Sequence, residues 1–215
     1  MRQFTDWQIT TLLLDAAVWT VVLSLIAFVG GALLGLVVTV MRVSGKKPLE
    51  RLSAGFIAAV QSIPLLMLIF LCFFGPAVVG VEISPWVAAA TALILFAAAF
   101  LAEIWRSSIQ AVPRGQWEAG KALGLRFLQV FRDIVAPQAL RLAVPPTVGF
   151  SVQVVKGTAL TSIIGFVELT KAGTMLNNVT FRPFFVFAVV ALVYFALCYP
   201  LSYASRLLER RLASR

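Results

Sequence analysis

Four long apolar runs, at about 18–40, 56–75, 86–104 and 184–204, constrain this chain more than anything else in it. A hydrocarbon core about 30 Å thick needs roughly 20 apolar residues as α-helix, and each run meets that requirement. A fifth run, about 142–160, is more polar: it carries Gln153 and Lys156, and Pro145–Pro146 stand at its opening, where a missing N–H has no intrahelical partner to lose. The reading is an all-α membrane protein with about five transmembrane helices, forming one domain over residues 1–215. Composition agrees, since 60% of the residues are hydrophobic and 13% charged, against about 25% charged in soluble domains. The first run is too long for a signal-peptide core, and Asp6 and Asp15 oppose Arg2 there, so it reads as a span.

The net charge of +9 would suggest nucleic acid in a soluble chain, but here the cations flank the apolar runs and orient them. Arg42, Lys46, Lys47 and Arg51 fill the first connection. Arg106, Arg114, Lys121, Arg126, Arg132 and Arg141 fill the third, and Arg206, Arg210, Arg211 and Arg215 the tail. Only Arg2, Lys156, Lys171 and Arg182 lie elsewhere. The positive-inside bias predicts that these three segments are cytoplasmic, with the amino terminus outside and the carboxyl terminus inside, as an odd number of spans requires. Trp19 and Trp86 then fall near outer ends and Trp105 near an inner end.

The third connection is the longest polar one. Read as one helix over 115–136, it places Ala119, Leu123, Phe127, Val130 and Ile134 on an apolar stripe. Gly120 and Gly124 interrupt it, which predicts a bend, a break into two short helices, or a close backbone approach. Pro137 is expected to end it. Two readings stand open: an amphipathic helix on the membrane surface, or a docking element whose apolar stripe packs on the chain's own helices while its glycine and charged faces meet a soluble partner.

Within the spans, Lys156 is the ionisable residue that a bilayer tolerates least. Either it faces a polar path that Gln153, Thr158, Thr161 and Ser162 also line, or the helix ends near Gly157 and the ammonium is wet. Glu103 with Arg106 and Glu168 with Lys171 read as local pairs at i, i+3 spacing. Gly31 and Gly35 permit close helix contact, within one subunit or between two. The chain has no histidine, and no nucleophile, base or metal-ligand constellation suggests an enzyme. Cys72 and Cys198 sit in apolar runs and read as buried hydrophobes. No cofactor or nucleic acid is implied. A secondary carrier would show an internal repeat and paired ionisable groups in its spans, and neither stands out.

Glu118-Ala119-Gly120, three residues, Gly124, nine residues, Ile134, one residue and Ala136-Pro137 together resemble the EAA loop of permease subunits of binding-protein-dependent ABC importers. Gly120 replaces the motif's second alanine and Ala136 its leucine. The stretches 62–75, 102–125 and 156–173 are similar to permeases of the polar amino acid group. That group often reads RGTP where this chain has Gln61-Ser62-Ile63-Pro64, and KDTSL where it has Lys156-Gly157-Thr158-Ala159-Leu160. The resemblance implies a type I importer permease fold with a cytoplasmic coupling loop over about 114–137, in the bacterial inner membrane. Glu118, Ala119, Gly120, Gly124, Ile134 and Pro137 would form the contact with a cytoplasmic ATPase. It further implies two ATPase subunits, a second permease, identical or paralogous, and a periplasmic amino-acid-binding protein. No G-x-x-x-x-G-K-[ST] loop is present, so ATP hydrolysis is expected on a separate subunit.

Overall fold

The computed structural model describes residues 4–213, which form helices and turns with no strand among them. Arg2 and Arg215, both used above to orient the chain, lie outside the described residues. Helix α1 (Asp6–Arg42) opens on a capping box in which Thr5 and Gln8 satisfy each other's backbone N–H groups. Helices α2 (Lys47–Ser62) and α3 (Leu65–Phe74) follow, then α4 (Pro85–Gln110), with Ser84 as its cap and Pro85 in its first turn. A hairpin of α5 (Arg114–Ala122), α6 (Phe127–Gln129) and a π-helix (Val130–Val135) leads into α7 (Ala136–Thr158). A 3₁₀ segment (Ala159–Ile164), α8 (Leu169–Thr180) and α9 (Pro183–Ala213) complete the chain. Four of these stretches are long and apolar enough to cross a membrane, and five if the bent α2–α3 pair counts as one.

That bent pair corrects the expectation of a continuous helix over 56–75. Pro64 forces Ile63 into an extended conformation (φ −99°, ψ 128°), and the two halves diverge by 104°.

The core is a slab of α1 against α4, running parallel. Trp19 meets Trp86 edge-on at 6.0 Å, and Gly31 and Gly35 meet Ala97, Ala98 and Leu101 further along. A Cβ on Gly31 would lie 2.3 Å from that of Ala97, so this glycine pair serves contact within the chain. Buried Ala88, Ala89, Ala92, Ala97, Ala98, Ala99 and Ala102 complete the small-residue seam.

Helix α7 packs antiparallel on the other side of α4. Thr147 accepts the Trp105 indole N–H at 3.0 Å, Phe150 stacks on Phe100 at 5.4 Å, and Gly157 abuts Leu65 and Leu93. Helix α9 closes the bundle, with the Ser205 hydroxyl donating to the Pro145 carbonyl at 2.9 Å. The cation-rich ends of α1, α4 and α9 and the hairpin therefore gather at one end, called here the basic end. At the far end, Arg182 pairs with Asp6 and lies 4.9 Å over the Phe185 ring.

Candidate functional site

The hairpin at the basic end is two short helical pieces, the second of the three outcomes expected from Gly120 and Gly124, and not one uninterrupted helix over 115–136. It breaks at Gly124, which adopts φ +75°. The Gly124 N–H donates to the Lys121 carbonyl at 2.9 Å and the Leu125 N–H to the Gly120 carbonyl at 3.2 Å, the paired bonds of a Schellman stop. Gly120 does a different job. A Cβ there would sit 2.8 Å from a Val130 methyl and 3.0 Å from Ile134 Cδ1, so only glycine lets α5 fold back on the π-helix unhindered.

The break redistributes the expected apolar stripe. Val130 is buried and Ile134 half-buried, but Ala119, Leu123 and Phe127 are exposed. The inner face is instead built from Val112, Val130, Val135 and Ala139 with Ile109, Trp117, Leu125 and Phe131. Trp117 stacks on Phe127 at 5.8 Å. Exposed Glu118 and Lys121 share the outer surface with Leu123 and Leu128, which are 77% and 71% exposed.

Pro137 does not end the segment. It stands in the first turn of α7, and helical backbone continues from Phe127 through Ile164. The π-helix delivers the chain into α7 without an interruption: the Ala136 N–H bonds the Phe131 carbonyl five residues back, and Pro137 then leaves one carbonyl of that wider turn without a helical donor. Gln138 locks this corner, its amide donating to the Ile134 carbonyl at 2.7 Å and to Gln116 Oε1 at 3.3 Å. Pro145 and Pro146 likewise lie inside α7 rather than at its start. They deprive the Arg141 and Leu142 carbonyls of helical donors, at exposed positions near the basic end where water can replace them.

Further along α7, Gln153 and Lys156 are exposed on one side of the helix. The 19 residues from Trp86 to Trp105 rise about 1.5 Å each, or about 28 Å, close to the thickness of a hydrocarbon core. Thr147 is level with Trp105, and Lys156 lies nine residues on, about 14 Å deeper and so near the middle. Lys156 lines a groove of about 720 Å³ between α7 and α9 with Gly149, Tyr194, Cys198, Tyr199, Ser202 and Arg206. A second recess of about 550 Å³ toward the basic end is lined by Gln61, Glu103, Ser107, Ser108 and Pro146. Glu103 binds Arg106, which also reaches Gln110.

Thr158 and Thr161 are not on that face. Both are fully buried, donating to the Val155 and Thr158 carbonyls of their own helix at 2.8 and 2.7 Å. Half-buried Ser162 bonds the Ala159 carbonyl in the same way.

Glu168, read from sequence as a surface partner of the Lys171 side chain, is completely buried. Its carboxylate caps α8 by accepting the Lys171 backbone N–H at 2.9 Å, and it accepts the Tyr194 hydroxyl at 2.7 Å and the Thr20 hydroxyl at 3.4 Å. Thr20 in turn accepts the Leu169 N–H at 3.2 Å. One carboxylate thus joins α1, α8 and α9. Its acidic residue at a helix start was the available signal, and the i, i+3 lysine obscured it.

Residues 31–214 match the family described as "Binding-protein-dependent transport system inner membrane component". The chain belongs to that family. It is therefore a multi-pass component of the inner membrane. The probable glutamine ABC transporter permease protein GlnM of Bacillus subtilis (strain 168) is 33% identical over 199 residues, covering 93% of this chain and 92% of the relative. The probable glutamine permease GlnP of the same organism is 35% identical over 202 residues, covering 92% of each. Among solved structures, an amino acid ABC transporter crystallised with histidines superposes with a TM-score of 0.89 at 32% identity, covering 94% of both chains. This component thus shares both sequence and architecture with ABC importer permeases along nearly its whole length.

Proposed function

We propose that this permease moves polar amino acids inward as one of a pair, driven by two ATPase subunits that grip the 114–137 hairpin. The observation that carries the reading is the unbroken helical path from Phe127 to Ile164. It joins an exposed hairpin at the basic end to Lys156 near the bilayer middle. Displacement of the hairpin is then transmitted along helical backbone to the polar face of α7. Glu118, Ala119 and the turn at Gly124 present the gripping surface. Gly120 and Ile134 hold α5 to the π-helix, and Pro137 begins the transmitting helix.

Gln153 and Lys156 are exposed at a depth where hydrocarbon is a poor neighbour for either. A second permease, identical or paralogous, would cover this face and enclose a wet pathway, with Lys156 available to a substrate carboxylate. Ser162 borders the pathway at most through its edge, and Thr158 and Thr161 support the helix behind it. The glutamine relatives and the amino acid transporter structure favour a polar amino acid as cargo. The basic end faces the cytoplasm, as the distribution of cations favours. The amino terminus is then periplasmic, where a binding protein delivers substrate, and the carboxyl terminus cytoplasmic.

The test is reconstitution with the ATPase and binding protein in liposomes. Uptake should require ATP, and a cysteine at Leu123 should crosslink to the ATPase. Uptake that follows an ion gradient and ignores ATP would refute the assignment.

A further inference from the structure

The groove of about 720 Å³ between α7 and α9 is unbalanced in charge. Lys156 and Arg206 line it, with Tyr194, Tyr199 and Ser202, and no aspartate or glutamate does so among the described residues. The Ser205 hydroxyl fixes the level of the second cation. It bonds the Pro145 carbonyl and would lie 3.0 Å from a Cβ on Gly149. Pro145 and Gly149 precede Lys156 by eleven and seven residues, so Arg206 stands roughly 10–17 Å nearer the basic end than Lys156. Tyr199 and Ser202 occupy the interval on α9. Both cations are exposed, and neither side chain makes an ion pair or hydrogen bond among the described residues. The Tyr199 and Ser202 hydroxyls are unbonded as well.

Two carboxylates of the neighbouring helices are already engaged. Glu168 is fully buried behind Tyr194, and its oxygens take the Lys171 N–H and the Tyr194 and Thr20 hydroxyls. Glu103, in the recess beside Pro146, is held by Arg106. Lysine and arginine offer donors and no acceptor, and a lysine at mid-bilayer depth is costly until an anion meets it. One carboxylate, present in every amino acid, answers Lys156 and leaves Arg206 and the two hydroxyls without a partner. A second carboxylate, which only accepts, answers those too. A primary amide would set N–H groups among the cations, and a basic side chain would be repelled by both.

We propose that the cargo is a dicarboxylic amino acid, a choice that rests on the reading that the Lys156 face lines the pathway. Lys156 takes one carboxylate near the bilayer middle. The other accepts from Tyr199 and Ser202, and Arg206 draws it toward the basic end.

The experiment is equilibrium binding of labelled L-glutamate, L-glutamine and L-arginine to the permease–ATPase complex in nanodiscs. The binding protein is left out because its own selectivity would mask that of the permease. The wild type should bind glutamate about tenfold more tightly than glutamine, between what an exposed and a desolvated charge contact supply, and arginine least. Arg206→Gln should lower the ratio to about three, Arg206→Glu should bring it to about one, and Arg206→Lys should restore it. Lys156→Gln, which removes the contact common to both ligands, should weaken them alike. Both side chains are exposed, so each variant should keep the wild-type melting temperature. Equal or tighter binding of glutamine by the wild type would overturn the proposal, as would a glutamate preference that survives Arg206→Glu. In either case ATP-driven uptake of another amino acid would still support the transport assignment, whose own failure is an uptake that ignores ATP.

Discussion

The slab of α1 on α4 and the hairpin at the basic end are both organised by glycine, yet they hold opposite mechanical characters. In the slab, Gly31 and Gly35 remove side chains so that two backbones touch along a line of alanines, and neither position uses glycine's conformational freedom. In the hairpin, Gly120 repeats that role once, and four residues later Gly124 uses a positive φ to stop the helix. Close contact without a turn yields a body that moves as one piece. Close contact followed by a turn yields a projection whose inner face is fixed and whose tip, with Leu123 and Leu128 outward, is free to be held.

If this contrast is right, substitutions in the body should cost stability, and those in the hairpin should cost coupling. The largest effect is expected from Gly31→Leu, whose side chain has no room against Ala97. The loss should be about 3 kcal/mol or more, seen as a collapsed thermal midpoint in detergent and partly relieved by Ala97→Gly. Glu168→Ala should follow at about 2 kcal/mol, because the Tyr194 hydroxyl and Lys171 N–H lose a buried acceptor. Glu168→Gln should recover most of that loss in the same melting measurement. Gly120→Leu should cost about 1.5 kcal/mol by prising α5 from Val130 and Ile134. Its larger signature is ATP hydrolysis that persists while uptake falls at least tenfold. Smallest in stability is Gly124→Ala, at about 1 kcal/mol for an alanine forced into the left-handed region. Gly124→Asn should be milder, and uptake should again fall more steeply than the melting temperature. A Gly31 variant that melts normally, or a Gly124 variant that transports normally, would erase the distinction.

The parts of the fold that could be read in advance are those where one physical effect dominates. Helices α1, α4 and α9 follow from apolar length alone, and the Gly31–Gly35 spacing announced a close contact without naming its partner. The misread parts are those where two effects compete. Pro64 was visible, but the continuous apolar run on both sides of it outweighed the local backbone restriction. Pro137 looked like a stop because nothing in composition marks a π-helix, and that π-helix carries the chain past the proline at the loss of one helical bond. Helix α8 is short and polar, and its anchoring acid was hidden by a lysine at pairing distance. For the candidate site, Lys156 and Gln153 could be found by their cost in lipid, whereas Thr158 and Thr161 share their neighbourhood in sequence but bond back to their own helix.

The unequal lengths of α1 and α3 carry a consequence for adaptation to different bilayers. Helix α1 has 37 residues, about 55 Å of helix, and begins on a capping box exposed to solvent. Helix α3 has ten residues, about 15 Å, and is fixed to the core by Leu65, Leu68 and Ile69 as well as joined to α2 by the bend at Pro64. When acyl chains lengthen or shorten, the α1–α4 slab can tilt as one piece, with turns of α1 to spare beyond the hydrocarbon. The α2–α3 elbow has no such reserve, so hydrophobic mismatch should register first as a change in its angle.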